Sequence, residues 1–355
     1  MSGTGLKSYS CTEDLRQTSG QLIDIRSPSE FNQGHWPGAI NLPLFSDEER
    51  AAVGKSYKRE GREKAILLGL KFTAPKLLTL KKELEHLSQI RFETNVIESQ
   101  KPCLRLYCWR GGMRSASIGW LANLLNLNPV ILKGGYKAYR KWVHQQFIKE
   151  WPLRLIGGRT GTGKTDILIS MSKMGINTID LEGLANHRGS SFGGLGQPLQ
   201  PTSEQYENLL AETLQNYKDT RNKDIWLEAE SANLGRCRIP SELFKQMKKA
   251  PLLEIERSKV ERIEQLVKLY SKHDKEALKE ATSRISRRLG PQRTKQALTA
   301  IENEQWEEAC NSMLDYYDRC YDYELDRSPK KETLDISSLS PDLAVKSLLG
   351  KGLLY

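Results

Sequence analysis

The chain has 355 residues, 38% of them hydrophobic and 28% charged, which gives room for two or three domains with substantial cores. No apolar run approaches the length of a membrane span, and residues 1–21 lack the apolar stretch of a secretion signal. Six scattered cysteines (Cys11, Cys103, Cys108, Cys237, Cys310, Cys320) suggest neither a disulfide framework nor a zinc site, so a cytoplasmic protein without membrane association is expected. The net charge is +10; residues 1–150 hold 23 Lys+Arg against 14 Asp+Glu, a surplus of nine that leaves one for the rest. Such a basic half favours a polyanion such as RNA, although a solvated surface carries charge in the same way.

In chain order, residues 21–25 read as a short strand that ends around Asp24 and Arg26. Gly34-His35-Trp36-Pro37-Gly38-Ala39-Ile40-Asn41-Leu42-Pro43 is a turn leading into another. Residues 46–95 read as mostly helical, with a lysine-rich face over 74–87. Residues 104–107 form a strand that delivers Cys108 into a glycine-rich loop, 115–125 a helix, 129–132 a strand and 136–150 a helix. Residues 153–156 are the strand before a second glycine-rich loop, and 164–173 the helix after it. Short strands follow at 177–179, ending in Asp180, and at 225–227, ending at Glu228, with a polar glycine-rich segment at 186–194 between them. Residues 256–325 are helical and charged, with a break at Gly290-Pro291. Strands alternating with helices indicate α/β domains with mainly parallel sheets. The expected organisation is an α/β domain over 8–148, a second over 149–255, and a mainly helical, charged extension over 256–355. The absence of a Gly/Ser linker near 141–152 predicts rigid coupling.

The first loop is Cys108-Trp109-Arg110-Gly111-Gly112-Met113-Arg114-Ser115. A cysteine between a strand and a helix N-terminus faces backbone N–H groups and a helix dipole that stabilise a thiolate. Gly111 and Gly112 let the chain curl, and Arg110 and Arg114 offer forked donors to an oxyanion. Such a thiolate can accept a sulfur or selenium atom or attack phosphorus.

The second loop, Gly158-Arg159-Thr160-Gly161-Thr162-Gly163-Lys164-Thr165, fits the Walker A pattern. Gly158, Gly161, Thr162 and Gly163 shape a cradle of N–H groups, Lys164 supplies a charge, and Thr165 a hydroxyl for Mg²⁺. Those amides recognise a diphosphate whatever is attached to it, so a requirement for ATP does not follow. Asp180, Glu228, Glu230, His187 and Arg188 are candidates for Mg²⁺ or substrate, with a helix cap or surface carboxylate as the plainer alternative for the acids.

The first half resembles the rhodanese family, through Asp24-x-Arg26, Glu30-Phe31, the 34–43 turn, the cysteine loop and Lys133-Gly134-Gly135. Cys108 to Arg114 is Cys-x5-Arg, one residue longer than the usual sulfurtransferase loop and similar to phosphatase-type loops that hold a tetrahedral anion. A rhodanese-like domain followed by a P-loop NTPase-like domain, together with Leu181-Glu182-x-x-Ala185-Asn186-His187-Arg188-Gly189-Ser190-Ser191-Phe192-Gly193 and Glu228-x-Glu230-Ser231, resembles the tRNA 2-selenouridine synthases over about residues 8–325. The resemblance implies a transferase that S-geranylates a wobble 2-thiouridine of tRNA with geranyl diphosphate. It then exchanges sulfur for selenium from selenophosphate, which a selenophosphate-producing enzyme would supply. Cys108, with Arg110 and Arg114, would serve the selenium step and the Walker loop the geranyl donor. RNA contacts are expected at Trp109 and Tyr136, as stacking faces with packing within the fold as the equal alternative, and at Arg284, Arg287, Arg288, Arg293 and Lys295. The rival readings are an ATP-dependent tRNA thiolation sulfurtransferase and a P-loop regulatory module with a phosphatase-like domain.

Overall fold

The computed structural model describes residues 9–89, 103–218, 223–325 and 331–354. The chain divides into two compact units, Met1–Gln145 and Gln146–Tyr355. Each is an α/β unit on a five-stranded parallel sheet.

In the first unit the strands are β1 (Tyr9–Ser10), β2 (Gly20–Asp24), β3 (Ile40–Asn41), β4 (Cys103–Tyr107) and β5 (Pro129–Leu132), in the order β1-β5-β4-β2-β3. The inner strands are apolar almost throughout because helices cover both faces of a parallel sheet. Ile23, Leu104, Leu106 and Ile131 meet Leu84, Leu87, Ile118 and Ala122 in the core. The stretch expected to be helical folds as Asp47–Arg59, Arg62–Thr73 and Leu77–Gln89; residues 90–95 of that expectation lie outside the described residues. Ser46 and Glu49 form a reciprocal capping box at the start of the first helix. Leu80, Leu84 and Leu87 set the buried stripe of the third. The helix after the cysteine loop is Met113–Leu124, two residues ahead of its predicted start.

The strands of the second unit are β6 (Leu153–Gly157), β7 (Thr178–Ile179), β8 (Ile225–Glu228), β9 (Asn233–Leu234), β10 (Cys237–Arg238), β11 (Leu252–Glu256) and β12 (Lys331–Asp335). The sheet order is β12-β11-β6-β8-β7, with β9 and β10 as a separate antiparallel hairpin. The Walker strand β6 is central and β8 is its neighbour, so the end of β8 lies beside the loop. The helices after β11 run Lys259–Tyr270, Lys275–Arg284, Ser286–Leu289, Pro291–Glu302 and Trp306–Leu325. Gly290 has φ +90° and Pro291 opens the next helix, which makes the break read from sequence. β12 departs from the sequence reading of this region as a mainly helical extension. Only Leu334 of its five residues is buried, so this charged edge strand has no apolar alternation to reveal it. The helix Pro341–Gly350 buries Ala344, Val345 and Leu348 in a core shared with Ile167 and Met171. Among the described residues, no helix is long and apolar enough to cross a membrane.

Candidate functional sites

β4 ends at Tyr107 and turns Cys108 into the loop, where Cys108 is 3% exposed. Its Sγ lies 3.3 Å from Ser115 Oγ, whose hydroxyl also donates to the Gly112 carbonyl at 3.1 Å. The N–H groups of Tyr136 and Lys137 donate to the Cys108 and Trp109 carbonyls at 2.8 and 3.0 Å, locking the loop to the next helix. Glycine is required here by space as well as by φ. A Cβ on Gly111 (φ +64°) would sit 2.4 Å from the Leu132 carbonyl oxygen, and one on Gly135 (φ +59°) 2.2 Å from that of Cys108.

The two arginines of the loop differ. Arg110 is exposed. Arg114 Nη1 donates to Glu30 Oε2 at 2.6 Å, and Glu30 also pairs with Arg50 at 3.1 Å. Burial alone would raise the Glu30 pKa, but Arg114, the Ser27 N–H and Arg50 outweigh it and hold the carboxyl below its usual range. Glu30 therefore aims Arg114 while neutralising part of its charge. Sequence reading placed Glu30 in the pattern without giving it this role. Beneath the loop, fully buried Arg26 forks onto Asp24, donates to the Gly34 carbonyl at 2.6 Å, and lies 3.7 Å from the Tyr136 ring centroid. The two stacking candidates differ in exposure. Trp109 is 39% exposed, whereas Tyr136 is fully buried against Arg26 and packs rather than offering a face.

In the Walker loop, Gly158, Gly161 and Gly163 have φ of +151°, +83° and +84°. Thr162 is buried and its hydroxyl donates to the Arg159 carbonyl at 2.9 Å. Lys164 Nζ donates to the Gly158 carbonyl at 3.1 Å and lies 4.6 Å from the Tyr321 ring centroid. Glu182, Glu228 and Glu230 converge beside it, with one carboxylate oxygen of each within 4.8 Å of the others. Thr165 Oγ1 donates to Glu182 Oε2 at 3.5 Å. Both Glu228 oxygens and Glu230 Oε1 are buried without an aligned donor. Burial and mutual repulsion push Glu182 up to about 10 and Glu228 up to about 8, against the pull of Lys164. Burial likewise raises Glu230. Buried carboxylates short of partners suit a divalent cation, which takes oxygen ligands, so this set fits Mg²⁺.

Asp180 does not join that set: its Oδ1 accepts from the Gly183 N–H at 2.7 Å and caps the short helix Leu181–Ala185. Glu182, on that helix, takes the place that sequence reading offered to Asp180. His187 and Arg188 occupy the loop that follows. His187 Nδ1 is buried without a partner, while Arg188 Nη1 reaches the Leu195 carbonyl at 3.5 Å. Gly189 (φ +65°) brings this loop against the acids, since a Cβ there would be 2.7 Å from Glu230 Oε2.

The helix Trp306–Leu325 closes on the Walker loop through residues at i, i+3 and i+4 of one face. Asp318 grips Arg262 at 2.7 and 2.8 Å, and Arg262 also donates to the Thr160 carbonyl at 3.2 Å. Asp322 pairs with Arg159 at 2.8 Å, and Tyr321 faces Lys164. Of the five basic RNA candidates, three are engaged within the protein. Arg284 donates to the Ser191 carbonyl at 3.3 Å, Arg288 bonds Tyr316, and Arg293 pairs with Asp315 at 3.5 Å. Arg287 and Lys295 instead line an open surface depression with Pro291 and Thr299.

These acids make stability depend on pH. Unfolded carboxyls lose their protons near their ordinary values, whereas the folded cluster keeps some until about pH 8–10. In that window the folded state binds more protons, so metal-free protein should lose stability as pH rises from about 5 to about 9. Glu228→Gln should flatten the fall in melting temperature and reduce the stabilisation by Mg²⁺. A wild-type melting temperature that does not fall across this window would contradict the cluster's electrostatics.

The rhodanese-like domain family matches residues 10–141, and the tRNA 2-selenouridine synthase AAA domain family matches residues 151–338. A tRNA 2-selenouridine synthase from Sulfurovum sp. is 38% identical over 343 residues, covering 87% of this chain and 90% of that protein. One from Marinobacter nauticus is 35% identical, with 86% and 88% covered, and one from Hydrogenovibrio crunogenus 36% identical, with 87% and 90% covered. The first unit is thus a rhodanese-like domain and the second a P-loop-type domain with helices in its C-terminal part, and the chain belongs to the tRNA 2-selenouridine synthase family.

Proposed function

We propose that the protein converts a wobble 2-thiouridine of tRNA to 2-selenouridine in two steps, one served by each loop. The observation that carries this reading is the presence, in one chain of this family, of a Cys-x5-Arg loop and a Walker loop faced by a carboxylate cluster. The Walker loop holds the diphosphate of geranyl diphosphate. Lys164 and the loop amides stabilise the negative charge that gathers on the diphosphate as the geranyl carbon passes to the sulfur of thiouridine. Glu182, Glu228 and Glu230, with Thr165, are the residues that would hold Mg²⁺, which supplies further positive charge when bound. Alkylation converts the thiocarbonyl sulfur into a thiolate-type leaving group and opens C2 to attack.

For the second step, Arg114, positioned by Glu30, and Arg110 receive selenophosphate, and the Cys108 thiolate attacks phosphorus. The S–P bond forms, the P–Se bond breaks, and selenium leaves with its electron pair as hydrogen selenide, its proton coming from solvent. Water then hydrolyses the phosphocysteine to phosphate and free thiol. This route balances without an oxidant or reductant, and the phosphatase-type loop length supports it. Acid-quenched protein should carry phosphate on Cys108; selenium on Cys108 instead would overturn this assignment.

The overall test uses the purified protein, a stem-loop RNA bearing 2-thiouridine, geranyl diphosphate and Mg²⁺, followed by selenophosphate. Nucleoside mass spectrometry should read S-geranyl-2-thiouridine and then 2-selenouridine. Modification of plain uridine that depends on ATP and yields thiouridine would replace this reading with a thiolation enzyme. Phosphate release with no change in the RNA would favour a regulatory module.

Arg287 and Lys295 supply phosphate contacts for the tRNA in this reading. Arg287→Ala/Lys295→Ala should weaken RNA binding and lower the slope of log affinity against log salt by about 2. Fluorescence anisotropy over a salt series measures this, and an unchanged slope would remove the depression from the RNA path.

A further inference from the structure

Beside the helix that follows the cysteine loop, the first unit contains an apolar cavity of about 580 Å³, within the roughly 300–1,000 Å³ of small-ligand sites. It lies between Met113–Leu124 and the helices spanning 47–77. Leu70, Leu77, Met113 and Trp120, which line it, are 59%, 41%, 50% and 56% exposed. Apolar surface gathered this way in water marks a place where something apolar binds. The charged residues of its wall are Arg62 and Arg114, both cationic. The cavity thus matches an apolar chain attached to an anion, with the Cys108 loop at the N-terminal end of the helix that forms one wall.

We propose that this cavity holds the isoprenyl chain of S-geranylated RNA during the selenium step, and so selects the geranylated base over other S-alkylated bases. This rests on the two-step reading above. With the chain seated, C2 of the base is presented to selenide released at the Cys108 loop. The C2–Se bond forms and the C2–S bond breaks. Sulfur leaves with the electron pair as geranylthiolate, and the proton carried by selenium passes to N3, which has none while sulfur is alkylated. The cavity then shelters the departing geranylthiolate, which takes a proton from solvent to leave as the thiol.

The test compares stem-loop RNAs synthesised with S-geranyl-2-thiouridine and with S-methyl-2-thiouridine, each given to the full chain with selenophosphate. Wild-type protein should convert the geranyl substrate with a kcat/KM at least about tenfold above the methyl one. In Leu70→Asn/Trp120→Asn that ratio should collapse toward one. Both side chains are more than half exposed, so the fold should survive, and a melting curve checks this. Equal losses on both substrates, an unchanged ratio, or loss of geranyl transfer from geranyl diphosphate instead would each overturn the assignment. A change of oligomeric state in the variant with the ratio intact would also overturn it, giving the cavity to a second copy. If wild-type protein neither makes nor consumes S-geranyl RNA, the two-step reading itself fails; if it does both and the variant keeps its ratio, only the cavity assignment fails.

Discussion

A Cys108→Ser protein supplied with 2-thiouridine RNA, geranyl diphosphate and selenophosphate is expected to stop at S-geranyl RNA. Serine fits the site, since Cys108 is buried within reach of Ser115 Oγ and a hydroxyl differs little in volume, so the melting temperature should change little. A hydroxyl, however, is far harder to ionise than a thiol and cannot replace the attacking thiolate. Formation of 2-selenouridine should fall by at least about 10³-fold, as for other single nucleophile removals. The diagnostic is the split, with geranyl transfer persisting in the same tube. Selenouridine formed at the wild-type rate would strip Cys108 of any covalent part.

Lys164→Ala should produce the reciprocal block. Lys164 is the cation among Glu182, Glu228 and Glu230 and donates to the Gly158 carbonyl. Its removal takes a donor from the diphosphate and leaves the acids facing one another. Geranyl transfer should fall by about 10²–10³-fold. RNA geranylated in advance should still be converted with selenophosphate, which shows that the variant is folded. If Lys164→Ala retains geranyl transfer and loses only nucleotide binding, the Walker loop serves a nucleotide and the assignment of the diphosphate is wrong.

Both loops were legible in the sequence because each depends on short-range chemistry. Gly111, Gly161 and Gly163 occupy positive-φ positions, and Cys108 and Lys164 lie at fixed offsets from them. Glu228 was legible as the last residue of an apolar strand. Glu182 was harder to see: it lies on a five-residue helix beside Asp180, whose carboxylate serves as the helix cap. Asp318, Tyr321 and Asp322 looked like any polar face of a charged helix, because their partners lie far back in the chain. A count of cations likewise does not reveal that Arg284, Arg288 and Arg293 have partners within the protein. Tyr136 shows the same limit, as an aromatic ring can serve as a floor for Arg26 just as well as a platform for a base.

The closure of the helix Trp306–Leu325 on the Walker loop has a consequence for biosynthesis. Arg159 and its partner Asp322 are 163 positions apart, and β12, the edge of the same sheet, comes later still. On a translating ribosome the glycine loop emerges long before the residues that brace it. The braced Walker loop is therefore among the last parts of this chain to be completed, and a nascent fragment ending near residue 255 would carry the signature sequence without its braces.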